Sequence, residues 1–522
     1  MTEDKKSPKG PNKSDTIMMI AAKRGFFYPS AEIYGAKAGF WTYGHLGTRL
    51  KHNWENLWRN YFLGLSRSYF EIDDCHIMPK KVFEGSGHLA HFNDPLTECS
   101  KCHFRFRADQ LIEDALKTNV GGLDEAALTK LIDDNKLLCP RCGSALMPVK
   151  WFNMMFEMKV GATGEDIMYL RPESAQSPYL AFKREFEALR KKIPFGLAVV
   201  GKAYRNEISP RQGFFRLREF TQAELQIFFD PDRINEAENW DFVKAYKLRL
   251  CLAKDASEGK ITEITCEEAN RELKIPKFYA YNMAKVQQFY LSLLGIPAEK
   301  FRFRELDEKE RAFYNKLHFD IELDMGTLGG FKEVAGVHYR TNHDLGGHQE
   351  HSGENLEVVI GDKRFIPHVL ELSFGVDRNV WAVMDLFYRQ EPERALFAFP
   401  SLLAPIEVAM YPLVNKDNIP EYSSELYSKL GKEFKMFFDD SGSIGRRYRR
   451  QDEIGTPYGV TVDYDSLNDN TVTLRDRDSM KQVRVKGDEL IQTLKKVIAG
   501  ELSFEKAGAP VVPKAPEKEE KE

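Results

Sequence analysis

Apolar residues three or four apart, at Leu46, Leu50, Trp54, Leu57 and Tyr61, predict a helix over 44–65 that follows a Gly-x-Leu-Gly turn. Its aromatic-rich face must bury itself, in its own core or against a second subunit. Over 217–229 the period changes to two. Phe220, Gln222, Glu224 and Gln226 then share one strand face, and Thr221, Ala223, Leu225, Ile227 and Phe229 the other. The second face suits packing on helices. The first is too polar for a core and too aromatic for plain solvent exposure, so it reads as the floor of a site. The preceding arm places Arg205 and Glu207 on one face, and Pro210 and Gly213 interrupt the run, which predicts a β-hairpin with a flexible tip. Alternation returns in 368–373, with Val369, Glu371 and Ser373 opposed to His368, Leu370 and Leu372; a Gly turn then leads into a helix over 376–388. In Leu170-Arg-Pro-Glu-Ser-Ala-Gln176 the proline blocks a ladder hydrogen bond, so a strand should end there and present Glu173 at a rim.

Residues 231–315 read as largely helical and mainly as an insertion. From about 405, strand-like 406–414, 459–464, 471–477 and 482–486 alternate with amphipathic helices over 421–438 and 488–498, a small mixed α/β domain. The polar, Pro/Lys/Glu-rich stretches 1–15 and 503–522 predict disordered tails.

At 522 residues the chain exceeds one core and predicts about two to four domains. The net charge of -4 excludes a generally basic nucleic-acid binder. RNA contact must then come from local patches such as Arg446, Arg447, Arg449 and Arg450 with Tyr448 interleaved, unless that run is a charged strand bonded to Asp452 and Glu453. There is no apolar run near the ~20 residues a membrane span needs, and 1–15 lack the marks of a signal or transit peptide. A cytoplasmic protein without a membrane partner is expected.

Four of the 7 Cys form two CxxC pairs, Cys99 with Cys102 and Cys139 with Cys142. Four thiolates suit a closed, structural Zn²⁺ site, against the alternative of four independent thiols, and the pattern fits a reducing compartment. Cys75, Cys251 and Cys266 read as buried or half-buried. His88 and His91, with His343, His348 and His351, invite a second-metal reading beside one in which they touch RNA or line the fold.

The hairpin packs Arg205, Arg211, Arg216 and Arg218 beside Glu207, Glu219 and Glu224. An Arg fork suits phosphate oxygens and a carboxylate accepts from an exocyclic amine, so the segment could grip a triphosphate and an amine together. A salt-bridged solvent face is the alternative. Arg378 falls in the first turn of its helix, where a cation is unfavourable without an anion; a bound phosphate is the better reading, a surface Arg the other.

These residues carry a resemblance to class II aminoacyl-tRNA synthetases, and among them to the dimeric glycyl-tRNA synthetases. Gly44-His-Leu-Gly-Thr-Arg-Leu-Lys-His-Asn53 is similar to the family's first motif, Arg205-Asn-Glu207 through Phe220 to the second, and Gly375-Val-Asp-Arg378 to the third. Glycyl-type features are Gly25-Phe-Phe-Tyr-Pro-Ser30, Arg171-Pro-Glu-Ser-Ala-Gln176, Glu219-Phe-Thr-Gln-Ala-Glu224 and Asp439-Asp-Ser-Gly-Ser-Ile-Gly-Arg-Arg-Tyr448. The match runs from about 16 to 500. It departs at His45 and Leu372, where Pro is usual, and at Ser174, where Thr is usual.

The resemblance implies an α+β fold: an antiparallel-sheet catalytic core with helices, a zinc-bearing insertion and a C-terminal mixed α/β anticodon-binding domain. The core would comprise 16–95, 149–230 and 301–400, the zinc insertion 96–148, a helical insertion 231–300 and the anticodon domain 401–502. It implies ATP-dependent ligation of glycine to tRNA(Gly) through glycyl-adenylate, by a cytoplasmic homodimer. Arg205 would hold the α-phosphate, Glu207 the adenine amine, Phe220 the ring with Gln222 beside it, and Arg216 and Arg378 the γ-phosphate. Glu173, Glu224, Glu371 and Ser373 would surround the glycine ammonium, with Arg340 at the amino-acid end. Glu333, with Glu322 as a second candidate, would hold Mg²⁺ on the triphosphate. The rivals are a histidyl-type synthetase and a non-catalytic relative that binds RNA or DNA.

Overall fold

The alternation over 219–229 is realised inside a nine-stranded sheet. The computed structural model describes residues 12–118, 120–210, 213–307 and 315–511. In chain order the strands are β1 (Tyr69–Glu71), β2 (Phe195–Tyr204), β3 (Glu219–Phe229), β4 (Lys247–Cys251), β5 (Thr262–Thr265), β6 (Phe301–Glu305), β7 (Leu317–Met325), β8 (Gly330–Thr341) and β9 (His368–Gly375). They lie in the order β5-β4-β6-β7-β8-β9-β3-β2-β1. The five middle contacts from β6 to β2 are antiparallel, whereas β1 joins β2, and β4 joins β6, in parallel.

Two compact units divide the chain. One holds Pro29–Thr42 and Trp58–Ala382; the other holds the segment up to Tyr28, Tyr43–Leu57 and the chain from Val383. In the first unit, the apolar face of β3 and β9 is sealed: Leu225, Ile227, Leu370 and Leu372 are all buried. Leu372, where the family usually has Pro, is therefore in a setting that suits it. The helix Gln176–Ala188 covers one end of the opposite face, the one that carries Glu224 and Gln226, with Phe182 4.7 Å from Phe228 between ring centroids. Each such large apolar side chain contributes about 1.5–3 kcal/mol of burial free energy.

Two expectations for this unit are corrected. The segment 231–315 is not mainly a helical insertion: it supplies β4, β5 and β6 to the central sheet as well as the helices Cys266–Glu272 and Lys277–Gln288. Leu248 and Leu250 face the core between charged neighbours, a pattern too short to stand out from helical periodicity. The hairpin arms are also shorter than expected. β2 ends at Tyr204, so Arg205 and Glu207 lie in the connection rather than on a strand. The Arg218 guanidinium holds that connection by donating to the carbonyls of Glu207 and Ala38. Pro210 packs on Gly39, where a Cβ would lie 2.8 Å from the proline ring and where φ is +84°. Arg211 lies outside the described residues.

In the second unit the helix His45–Leu63 buries Leu46, Leu50 and Trp54 within the chain. Its start is fixed by backbone approach: a Cβ at Gly47 would fall 1.8 Å from the Phe26 carbonyl oxygen. His45 stacks against Gly25, which has φ +77°, so the turn tolerates His where Pro is usual. Asn53 donates to the carbonyls of Leu403 and Ala404.

The C-terminal six-stranded sheet runs Met436–Phe438, Val408–Pro412, Tyr458–Val462, Thr471–Asp476, Gln482–Lys486, Ala509–Pro510. The helix expected over 421–438 ends at Leu430, and its second half is the edge strand Met436–Phe438. Parts of both expected tails, 1–15 and 503–522, are ordered. Asn12 caps a helix from Lys13 to Arg24 that buries Ile17, Ile20 and Ala21. Beyond 503, Phe504 stacks on Tyr458 and Ala509–Pro510 pairs with Gln482–Lys486. Residues 1–11 and 512–522 lie outside the described residues.

Candidate active site

Cross-strand register builds the floor of a cavity of about 240 Å³ in the first unit. One row runs Gln226 on β3, Glu371 on β9, His338 on β8 and His318 on β7, each opposite the next. The neighbouring row runs Glu224, Ser373, Gly336 and Asp320. The polar residues at every second position on β3 and β9 thus face one space, as their alternation demands.

Three carboxylates meet there. Glu173 accepts from Gln176 Nε2 at 2.9 Å and lies 3.5 Å from His88 and 3.7 Å from Arg340. Glu371 accepts from Gln226 at 2.8 Å, from Arg340 at 3.1 Å and bonds the His338 Nδ1. Glu224 accepts from Gln222 at 2.8 Å and Ser373 at 2.7 Å through Oε1, while its Oε2 is buried without a hydrogen-bond partner.

Their protonation diverges. Burial would raise all three. For Glu173 the neighbouring His88 and the Arg340 guanidinium outweigh it, and for Glu371 Arg340 and the His338 hydrogen bond do, so both are held below the usual carboxylate range. Glu224 gains no such partner, and burial with the charges of Glu371 and Glu173 pushes it up to about 8. The empty site therefore holds two carboxylates ionised and a third protonated at neutral pH.

Three more arginines line the same cavity. Arg205 donates to the Pro172 carbonyl at 3.1 Å and lies between the rings of Phe92 and Phe220, 5.3 Å from each. Arg216 pairs with Glu207 at 3.0 Å, and Arg378 with Glu333 at 3.1 Å. At the start of the helix Val376–Phe387, Asp377 Oδ2 accepts the Thr221 N–H and ties that helix to β3.

The residues expected at ATP, Arg205, Glu207, Arg216, Phe220, Gln222, Glu333 and Arg378, and those expected at the amino acid, Glu173, Glu224, Arg340, Glu371 and Ser373, all line this cavity. Glu322 is not among them: it is paired with Arg302 away from the cavity, which corrects its candidacy for Mg²⁺. Arg340 is committed too, its fork bonded to Asp344 at 2.8 and 2.9 Å.

Sequence reasoning missed His318, His338, Asp344 and Asp377. Only the strand register brings the two histidines together, and no local spacing announces it. Arg171, fully buried, donates to the Lys202 carbonyl and Ser177, and needs Gly201 bare, since a Cβ there would lie 2.4 Å from its Nη2.

The four Cys of the insertion converge. Cys99 and Cys142 Sγ are 3.4 Å apart, Cys102 and Cys139 Sγ 3.7 Å, and all four lie within 4.8 Å. A tetrahedral site with Zn–S bonds of about 2.3 Å has edges of about 3.8 Å, so this donor set fits the ion. The N–H groups of Lys101 and Cys102 also point at Cys99 Sγ, which favours thiolate. Cys251 and Cys266 are buried, but Cys75 is exposed, contrary to expectation. The histidines at 88, 91, 343, 348 and 351 form no such group among the described residues; His348 bonds Gln176 and His88 bonds Ser86.

The basic run in the second unit is a helix, Ile444–Ile454, not a strand. Arg447 is buried and donates to the carbonyls of Pro412, Asp440 and Gly442; Arg450 forms a fork with Asp439. Those two support the fold rather than an RNA surface, and Asp452 and Glu453 pair elsewhere, with Arg475 and Arg394 and with Arg24. Arg446 and Arg449 are exposed.

Comparison with known proteins fits both units. A family profile described as the tRNA synthetase class II core domain (G, H, P, S and T) matches 156–387, and one described as an anticodon binding domain matches 407–497. A glycine–tRNA ligase of Thermococcus gammatolerans is 39% identical over 94% of this chain and 99% of its own length. The chain belongs to the glycine–tRNA ligases. Other family members are similar at the same scale: that of Methanothermobacter thermautotrophicus is 38% identical over 92% of this chain and 99% of its own length, and that of Aeropyrum pernix 37% over 96% and 99%. Among solved structures, a prolyl-tRNA synthetase from Cryptosporidium parvum complexed with L-proline and AMP superposes with a TM-score of 0.58 at 12% identity. It covers 94% of this chain and 76% of that one, and shares the class II synthetase fold with the glycine–tRNA ligases. Among the described residues no helix is long and apolar enough to cross a membrane.

Proposed function

We propose that this chain activates glycine with ATP and transfers it to the 3′ end of tRNA(Gly). The observation that carries the reading is the buried, unpartnered Oε2 of Glu224 beside Glu173 and Glu371. Once its proton leaves it offers an acceptor to a small cation, and three arginines line the same cavity for an anion. In the first step a glycine carboxylate oxygen attacks the α-phosphorus, the bond to pyrophosphate breaks, and glycyl-adenylate forms. In the second, a hydroxyl of the tRNA terminus attacks the glycyl carbonyl and AMP leaves.

Arg205 holds the α-phosphate and meets the charge that develops there. Phe220 and Gln222 take the adenine, Glu207 its amine, and Arg216 and Arg378 turn from their carboxylates to the γ-phosphate. Glu173, Glu224, Glu371 and Ser373 receive the ammonium, and Arg340 acts through Glu173 and Glu371, which it holds in place. Positioning and charge do the work, with little covalent chemistry asked of side chains. Glu333 would hold a Mg²⁺, which would neutralise triphosphate charge. A Zn²⁺ on the four Cys would be structural, since a closed thiolate set leaves no open position. Arg446 and Arg449 are the arginines free to meet tRNA phosphates, and the enzyme works as a cytoplasmic homodimer.

Pyrophosphate exchange across an amino-acid panel tests the reading: glycine supports exchange, with alanine and histidine about 100-fold weaker or worse. Exchange with histidine and none with glycine would overturn it. Cys102→Ser is expected to lower zinc content by one ion per chain and to open the 96–148 segment to proteolysis, read by metal analysis and peptide mapping. Unchanged protection and zinc content would remove the structural-zinc assignment.

A further inference from the structure

Beyond that reading, we propose that His318, Asp320 and His338 form a second metal site, for a divalent transition ion such as Zn²⁺, in the wall of the cavity. One ligand atom from each lies within 4.8 Å of the others. The strands put them there: His318 and His338 are directly opposed on β7 and β8, and Asp320 shares the face of His318 two residues on. The residue opposite Asp320 is Gly336, and the His338 ring leans into the space this leaves, its Nε2 2.2 Å from where a Cβ would stand. Any side chain at 336 would drive His338 out of the cluster.

The surrounding groups hold the rings as ligands are held. His338 bonds Glu371 through Nδ1, which makes Nδ1 the protonated nitrogen and leaves the Nε2 lone pair facing the cluster. A carboxylate behind a histidine is the usual support of a metal-bound imidazole. On His318, Nδ1 contacts the Asn315 side-chain amide at 3.2 Å. The amide nitrogen donates to Nδ1, so Nε2 carries its proton toward Asp320 Oδ1 at 2.9 Å, and a metal ion would take that proton's place between the two ligand atoms. Ligands about 2.1 Å from one tetrahedral ion stand ~3.4 Å apart, so the pair would open by about half an ångström to admit it.

Two imidazoles and one carboxylate suit Zn²⁺, Co²⁺ or Ni²⁺ better than Mg²⁺, which demands oxygen ligands. Three protein ligands also leave coordination positions for water or an anionic oxygen, and His318 and His338 both line the cavity. The site is thus distinct in chemistry from the Cys₄ group and from the carboxylate Glu333.

The full chain, stripped of metal with a chelator and titrated with Co²⁺, tests this. Two ions per chain are expected, one with thiolate charge-transfer absorption and one with visible bands that lack it. His318→Gln and His338→Gln should each weaken the second ion at least 100-fold, while thiolate bands and thermal midpoint stay as in wild type. Asp320→Asn serves if either His variant unfolds. A wild-type stoichiometry of one ion, or a second ion retained in the variants, would overturn the proposal.

Discussion

Arg205→Ala is expected to slow glycine-dependent pyrophosphate exchange by about 100- to 1000-fold, the cost of removing one preorganised donor from a developing charge. The structure distinguishes Arg205 from the other two arginines of the cavity. Arg216 and Arg378 each rest on a carboxylate, Glu207 and Glu333, and must exchange that partner for a phosphate. Arg205 makes no ion pair among the described residues; its Nε is fixed on the Pro172 carbonyl and its plane faces two aromatic rings. Its charge is therefore positioned in advance and uncompensated. The loss should fall mainly on kcat, with a smaller change in KM for ATP, since the interaction strengthens as the α-phosphorus reacts. Arg216→Ala and Arg378→Ala should instead raise KM for ATP. Removing two cation–π contacts costs about 1–2 kcal/mol, so the variant should remain folded by circular dichroism. Exchange within about threefold of wild type in a folded Arg205→Ala protein would remove Arg205 from the reaction.

The parts of the site that could be read from the sequence are those written in local alternation. Phe220, Gln222 and Glu224 had to share a face once β3 was a strand, and Glu371 and Ser373 followed on β9 by the same period. The four Cys were legible because metal-knuckle spacing is local. What could not be read depends on which strand lies beside which. His318 and His338 are twenty residues apart in sequence and opposite only because β7 and β8 pair in one register. Asp344 closes on Arg340 only through the turn into the helix His343–Ser352. The basic run at 446–450 misled for a related reason. Charge alone does not say that Arg447 points inward, where three carbonyls collect it. The strands β4 and β5 were lost among helices because four or five residues carry too little period to identify them.

Glycine affinity is expected to strengthen as pH rises from 6 to 8, by up to about tenfold per unit, and to level off above 8. The sign follows from Glu224. Burial, with Glu371 and Glu173 nearby, raises it to about 8, so it carries a proton in the empty site at pH 7. An ammonium ion donates and cannot bond a protonated oxygen as acceptor and counter-charge together. Binding must expel that proton, and lower pH opposes it. Glu173 and Glu371 are held low, with Arg340 beside both, so the carboxylates themselves stay ionised across this window. Calorimetry at pH 7 in buffers of different ionisation enthalpy should register release of close to one proton per glycine bound. Glu224→Gln keeps an acceptor for Gln222 and Ser373 but turns an amide donor toward the ammonium. It should weaken glycine about 10- to 150-fold, the value of a hydrogen bond to a charged group, and abolish the pH slope together with the released proton. A wild-type affinity that is flat between pH 6 and 8 would mean that the unpartnered oxygen of Glu224 does not receive the ammonium, and the four-residue pocket would then have to be redrawn around Glu173 and Glu371.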